Sequence, residues 1–483
     1  MPAIRNHWNA LQFFGSILPI VGSILTMHFV CRWPLGKNEA NIYQGMAAAL
    51  FRRTWVDDVA GQWRQWGEWG EMSIDHSPEA TPETETSRHW LDLDRIRVYS
   101  IAMLIAYVGM VLLWCLRTKG FTTDSLARPG VDFSAFWSAS FLALQGHAAK
   151  VYDYETLSPV IAAFGAVKGG EEFYLPWAYP PMFLLLVMPL ALLPFAASYL
   201  IFVGVTAAIY IAAIISVLNV RSLPGHAGWL PVLAFPGIHE AAFMGQNSLL
   251  TAGLAAWGLI QTRDRPAMAG VLIGLLCIKP QLALMFPVAL VAGRAWKTLL
   301  TAAVTAAAMA ACSVAAFGWE TIPAFLGAST LFKARVLEQG SSAWPFCPSI
   351  FSMMRMAGAS VMASYCGQGV CAAFALAGVA KVWSGQNSMA LRTSVVAAST
   401  LLASPYLWYY DLTWLGIAIA GVAIDGVRRG WLKGERELLA VAWLLPLLLS
   451  INRLVDMPQL GPLVTLLLMT MVLRRARWSG SLG

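Results

Sequence analysis

From Val98 almost to the C-terminus the chain is a succession of apolar runs separated by short loops, and this constrains its architecture more than any single motif. Inside hydrocarbon a backbone must satisfy its own N–H and C=O groups, and runs of this length do so as helices. The candidate segments are 98–116, 180–195, 196–218, 247–261, 267–279 with 281–293, 296–318, 361–383, 388–404, 409–424, 437–451 and 461–474. Several fall short of the ~20 residues a perpendicular span needs, which is tolerated where backbone is buried in protein or lines a cavity. Apolar residues make up 58% of the chain and charged ones 12%, against about 25% charged in soluble domains. A soluble protein with one very large core is excluded, since such cores stop growing at a few hundred residues. The expected fold is an all-α polytopic membrane protein of about 11–13 transmembrane helices.

The net charge of +7 is not a nucleic-acid signal, because Arg and Lys gather in short loops: Arg263/Arg265, Arg294/Lys297, Arg428 to Arg436, and Arg474/Arg475/Arg477. That is the pattern of cytoplasmic loops. Pro231 to Met244, with Pro236, Gly237, His239 and Glu240, is too polar for a lipid-facing span and reads as re-entrant. With that choice the basic clusters all fall inside, and the long stretches 117–178 and 319–360 lie outside. Phe133 to Leu144 has helical periodicity with aromatics on one side, as in an amphipathic helix at a membrane surface. The seven cysteines contain no CxxC pair and read as small buried hydrophobes, and the 21 tryptophans fit interfacial belts.

Residues 1–97 form an N-terminal extension. Leu11 to Val30 is apolar enough for an extra membrane helix, and Ser77 to Thr86 has a disordered composition. The membrane domain covers 98–475, and 476–483 form a cytoplasmic tail.

On this topology the polar motifs converge on one surface. Asp132 follows Arg128-Pro-Gly-Val; Tyr179-Pro180-Pro181, Gly245-Gln246-Asn247, Lys279-Pro280-Gln281 and Tyr409-Tyr410-Asp411 join it, while the inner side offers little but Arg and Lys. A carboxylate at the edge of hydrocarbon loses hydration and needs a partner, a ligand or a task. Asp132 serves as a functional acid or as the N-cap of a helix starting at Phe133 or Ser134. Asp153 and Glu155 orient acceptor hydroxyls, or Asp153 caps a short helix. Tyr179 and Trp177 stack on a sugar or sit in an interfacial belt. Lys279, alone between apolar runs, snorkels or meets an anion. Gln246 and Asn247 open a helix whose first N–H groups favour anions, with capping by Asn247 as the plain alternative. Arg335 and Lys333 are phosphate candidates or surface charge. Asp411 holds an arginine such as Arg453 or touches a sugar. His239 and Glu240 are weaker candidates for lining the site. The seven histidines show no metal spacing, and no phosphate-binding G-x-x-x-x-G-K-[ST] loop occurs.

Val131-Asp132-Phe133, Gly146 and Val151-Tyr152-Asp153, then Tyr179-Pro180-Pro181, Pro189-Leu190 and Leu193-Pro194, resemble the start of glycosyltransferase family 87. Gly245-Gln246-Asn247, Gly270, Gly274, Lys279-Pro280-Gln281, Ser404-Pro405-Tyr406 and Tyr410-Asp411 follow the same family in order. The resemblance implies a C-type glycosyltransferase (GT-C) fold with outer-face loops carrying amphipathic helices. It also implies a polyprenyl-phosphate sugar donor, typically mannose, used on the non-cytoplasmic face of the plasma (inner) membrane. The acceptor would be a glycolipid, a cell-envelope glycan or a protein. Asp132 matches the family aspartate that deprotonates the acceptor. The substrate-binding set would be Asp153, Glu155, Tyr179, Gln246, Asn247, Lys279, Gln281, Arg335, Tyr410 and Asp411. The donor is a substrate, and neither a cofactor nor a metal is called for. Two alternatives remain: a transporter or flippase of lipid-linked sugars, against which the lack of a visible internal repeat speaks, and a non-catalytic membrane assembly subunit.

Overall fold

The computed structural model describes residues 89–117, 129–163, 175–218, 228–451 and 458–480, and among these the regular structure is helical, with no strand. The expected extra helix at 11–30 and the polar segment 77–86 lie outside the described residues. The chain divides into two compact units, Met1–Arg117 and Thr118–Gly483.

In the first unit the described element is helix α1 (Leu93–Arg117). It starts within the charged stretch ahead of the apolar run because Asp92 caps it, accepting the Arg95 N–H at 2.9 Å. Ile105, Val108, Leu112 and Leu116 are exposed along it.

The second unit begins with α2 (Val131–Leu144), α3 (Tyr154–Ala163) and α4 (Pro181–Val187), the last continuing as a 3-10 turn to Leu192. The long α5 (Phe195–Leu218) precedes two fragments, α6 (Trp229–Leu233) and α7 (Pro236–Met244), then α8 (Ser248–Gln261) and α9 (Pro266–Gly274). Turns of 3-10 helix on both sides of Lys279 lead to α10 (Met285–Ala292) and α11 (Trp296–Phe317). Next come α12 (Thr321–Phe332), a π-helical turn (Lys333–Glu338), α13 (Ile350–Met356), α14 (Val361–Ser384) and α15 (Met389–Ala403). A 3-10 turn (Tyr409–Trp414) runs into α16 (Leu415–Arg429), followed by α17 (Glu435–Ile451) and α18 (Gly461–Gly480).

Among the described residues, five stretches are long and apolar enough to cross a membrane: Leu93–Leu113, α5, α11, α14 and Tyr409–Arg429. The larger expected count included shorter apolar helices such as Ser248–Gln261 and Met389–Ala403. This is an all-α polytopic membrane protein. On α5, α11 and α14, Leu200, Leu300 and Val370 are each about two-thirds exposed or more, as on a lipid-facing surface. Tyr409–Arg429 is instead mostly buried, and its neighbours α8 and α15 bury runs of Ser, Thr and Ala that let backbones approach closely. The stretch 229–244 is broken at Pro236; the nine residues of α7 rise only about 14 Å, half of what hydrocarbon requires.

Two features differ from expectation. Helix α2 is buried from Asp132 through Ser140 without interruption, so it is not a one-sided surface helix. Two of its polar side chains turn to backbone: Trp137 Nε1 donates to the Leu193 carbonyl at 3.0 Å, and Ser140 Oγ accepts the Ala191 N–H at 2.9 Å. A continuous buried face needs such internal satisfaction. Second, Arg475, expected among solvated basic residues, is fully buried. Its guanidinium reaches Asp425 at 3.0 Å and Glu435 through two nitrogens. The end of the bundle expected to carry only Arg and Lys therefore holds a buried ionic cluster.

Candidate functional site

The site forms where two hydrophobic clusters meet. One contains Phe133, Phe136, Trp177, Phe183 and Ile278; the other contains Leu249, Tyr410, Leu412 and Trp414. Asp132, Lys279 and Asp411 each lie next in sequence to a member of one of these clusters, and Gln246 lies two residues from Met244, which packs against the second.

Asp132 enters from the first turn of α2. Gly130 occupies the N-cap position at φ 80°, in the left-handed region, and its N–H donates to the Phe243 carbonyl at 2.7 Å. Asp132 therefore lies inside the helix rather than at its cap, and no side chain caps this end. Gln246 comes from the break between α7 and α8. Gly245 ends α7 at φ 69°, and a Cβ there would approach the Phe133 Cβ to 2.5 Å. This glycine lets the end of α7 press against α2, bringing Gln246 to Asp132.

Gln246 Nε2 donates to Asp132 Oδ2 at 2.8 Å and to Tyr410 Oη at 3.1 Å. Its Oε1 accepts the Tyr179 hydroxyl at 2.9 Å and the Asn247 N–H at 3.1 Å. Tyr179 is held in turn by Tyr152, whose hydroxyl donates to its carbonyl at 3.1 Å, and by the rings of Phe136 and Phe183. Beyond Tyr410 lies Asp411. Its Oδ1 accepts Lys279 Nζ and Ser248 Oγ, both at 2.6 Å, and its Oδ2 accepts the Trp408 N–H at 3.1 Å. The Lys279 ammonium also stands 5.6 Å from the Tyr410 ring centre. Lys279 and Asp411 are buried, so each neutralises a charge the other would otherwise carry alone.

Asp132, in α2 and outside the span-length helices, has no such dedicated partner. Burial pushes its carboxyl from the ordinary 3.8 up to about 6, against the lowering pull of hydrogen bonds from Gln246 and Tyr410 and of the Lys279 charge; Asp411 adds a smaller upward push. Burial also raises the Tyr179 phenol well above its usual value, so it stays a proton donor.

Asp132, Tyr179, Gln246, Lys279, Tyr410 and Asp411 are thus brought into one hydrogen-bonded chain. Asn247 adjoins it at the N-cap position of α8 without making a cap bond, and its fully buried carboxamide has no hydrogen-bond partner. Other candidates stand apart from this chain. Asp153 is exposed and caps α3, accepting the Glu155 N–H and, at 2.6 Å, the Thr156 hydroxyl. Glu155 is exposed, Gln281 is half-buried in the turn after Lys279, and Arg335 is exposed on the π-helical turn. Lys333 pairs with Glu338 at 3.3 Å. Trp177 is buried and stacked on Phe183, which removes it as a sugar platform. Asp411 holds Lys279; Arg453 lies outside the described residues. The sequence reading missed Ser248, whose place directly after Gln246-Asn247 was the available signal, and it took Tyr152 only as part of the Val151-Tyr152-Asp153 motif, without a role at Tyr179.

Among the described residues no group of three or more His, Cys, Asp or Glu could hold a metal ion. No curated protein and no solved structure matches the chain. A comparison with known families matches residues 177–405 to Glycosyltransferase family 87; the stretch includes Tyr179, Gln246, Ser248 and Lys279, and stops short of Tyr410 and Asp411. Over that stretch, a little under half of the chain, the protein is similar to glycosyltransferase family 87, a family of membrane glycosyltransferases.

Proposed function

We propose that the protein transfers a hexose, mannose in the first instance, from a polyprenyl-phosphate donor to a glycolipid, cell-envelope glycan or protein acceptor. Asp132 is the general base, and the site opens to the non-cytoplasmic face of the plasma (inner) membrane. The observation that carries this reading is a buried carboxylate lifted to about 6 and held by a neutral amide, beside an ion pair that is already balanced. A base so poised is ionised at neutral pH and still takes a proton readily.

In the step proposed, the acceptor hydroxyl oxygen bonds to the anomeric carbon as the bond from that carbon to the donor phosphate oxygen breaks. The hydroxyl proton passes to Asp132, and polyprenyl phosphate leaves as an anion. The sugar passes through an oxocarbenium-like state, in which the attacking hydroxyl becomes acidic. Protonation of Asp132 removes one negative charge from the site as the phosphate gains one. Lys279 already has Asp411 as counter-charge, so a donor phosphate here would share its ammonium with that carboxylate. Asn247 supplies unpaired amide groups beside the chain for a sugar hydroxyl.

The test is Asp132→Asn, assayed with a synthetic polyprenyl-phosphate mannose. The expected result is loss of transfer with expression and donor binding retained. Full activity removes Asp132 as base, and transfer of another sugar in preference overturns the mannose assignment.

A further inference from the structure

Gln246 is hydrogen-bonded at every position its carboxamide offers: two donors on Oε1 and two acceptors facing Nε2. One of those donors, the Asn247 backbone N–H, can only donate, so the amide cannot be turned end for end without setting N–H against N–H. Its NH2 group must therefore face Asp132 and Tyr410. The neighbouring Asn247 has no such partners, so the orientation of Gln246 is a property of its place and not of the loop in general.

We propose that Gln246 is a positioning residue: an amide locked by Tyr179 and the Asn247 N–H, which holds one oxygen of Asp132 in place and ties Tyr410 to the same carboxylate, fixing the base against the acceptor hydroxyl. The inference rests on the reading of Asp132 as base. The charged or titratable groups facing Asp132 are Tyr410 from the 3-10 turn, Tyr179 from the segment before α4 by way of Gln246, Lys279 from its turn, and Asp411, whose charge opposes that of Lys279. Gln246 is the neutral member that touches the carboxylate directly.

Two variants test this. Gln246→Glu keeps size and shape and can still accept from Tyr179 and Asn247, but it puts a second carboxyl against Asp132, and the two must share a proton. The acid limb of kcat/KM is expected to move upward by about one unit or more. Gln246→Ala removes the lock, and kcat is expected to fall by about a hundredfold with donor KM little changed. An acid limb that stays at the wild-type pH in an active Gln246→Glu protein, or an unchanged kcat in Gln246→Ala, overturns the proposal. Asp132→Asn separates the two readings. If it is active, the base assignment fails; if it is inactive while the Gln246→Glu limb is unmoved, only the positioning role fails.

Discussion

Asp132 shows how one residue acquires chemistry from its surroundings. On sequence it was a carboxylate near a span end, read as a functional acid with helix capping as the rival use for its oxygens. Gly130 takes the cap position instead, and Asp132 is buried in the first turn. Its raised pKa has a sign that can be checked in two ways. In the proposed reaction the base must be ionised, so kcat/KM should rise with pH through about 6 and level off above it. Folding favours the protonated form, so this group's contribution to stability is present below about 4 and is lost as pH rises to about 6. Asp132→Asn should therefore unfold at a higher temperature than the wild type at pH 7, with the advantage vanishing near pH 4. Equal Tm values for the two proteins at both pH values would show that burial exacts no such cost.

At the scale of elements, the site depends on broken helices rather than complete ones. Gly245 ends α7, 3-10 turns interrupt the chain at Lys279, and another turn carries Tyr410 and Asp411 into α16. The Lys279–Asp411 pair joins two of these breaks. Removing one member leaves the other charged and buried, so Lys279→Met should cost about 3–5 kcal/mol. Lys279→Met with Asp411→Leu should recover most of it. Thermal unfolding in detergent measures both. Sugar transfer by the double variant then divides the roles: a pair that is only a strut returns with activity, whereas an ammonium needed by the donor phosphate does not.

Across the whole molecule, α16 has charge at both ends. The fifteen residues from Leu415 to Arg429 span about 22 Å, with the Asp411 cluster before the helix and Asp425 near its far end. There Arg475 of α18 binds Asp425 and Glu435, joining α16, α17 and α18. Arg475→Met should lower stability by about 3–5 kcal/mol, visible as a lower Tm. Donor KM measured below the unfolding temperature should stay unchanged, because the cluster lies most of a helix length from Asp411. A rise in KM would show that this cluster sets the geometry of the site.

The sequence by itself determined the helical class, the apolar segments, and the identity of most polar residues in the site, because hydrocarbon tolerates so few polar groups that each one left in an apolar chain is conspicuous. It could not say which of them would touch. Lys279 and Asp411 are far apart in the chain, as are Asp132 and Gln246, and only packing at the seam between two apolar clusters brings them together. Nor could it tell a buried arginine from a solvated one, since Arg475 and Arg474 are adjacent and a rotation of one residue around α18 decides which faces the core. Periodicity fixes what each segment is; the closing of one segment on another, through Gly130, Gly245 and the buried pairs, decides what the residues do.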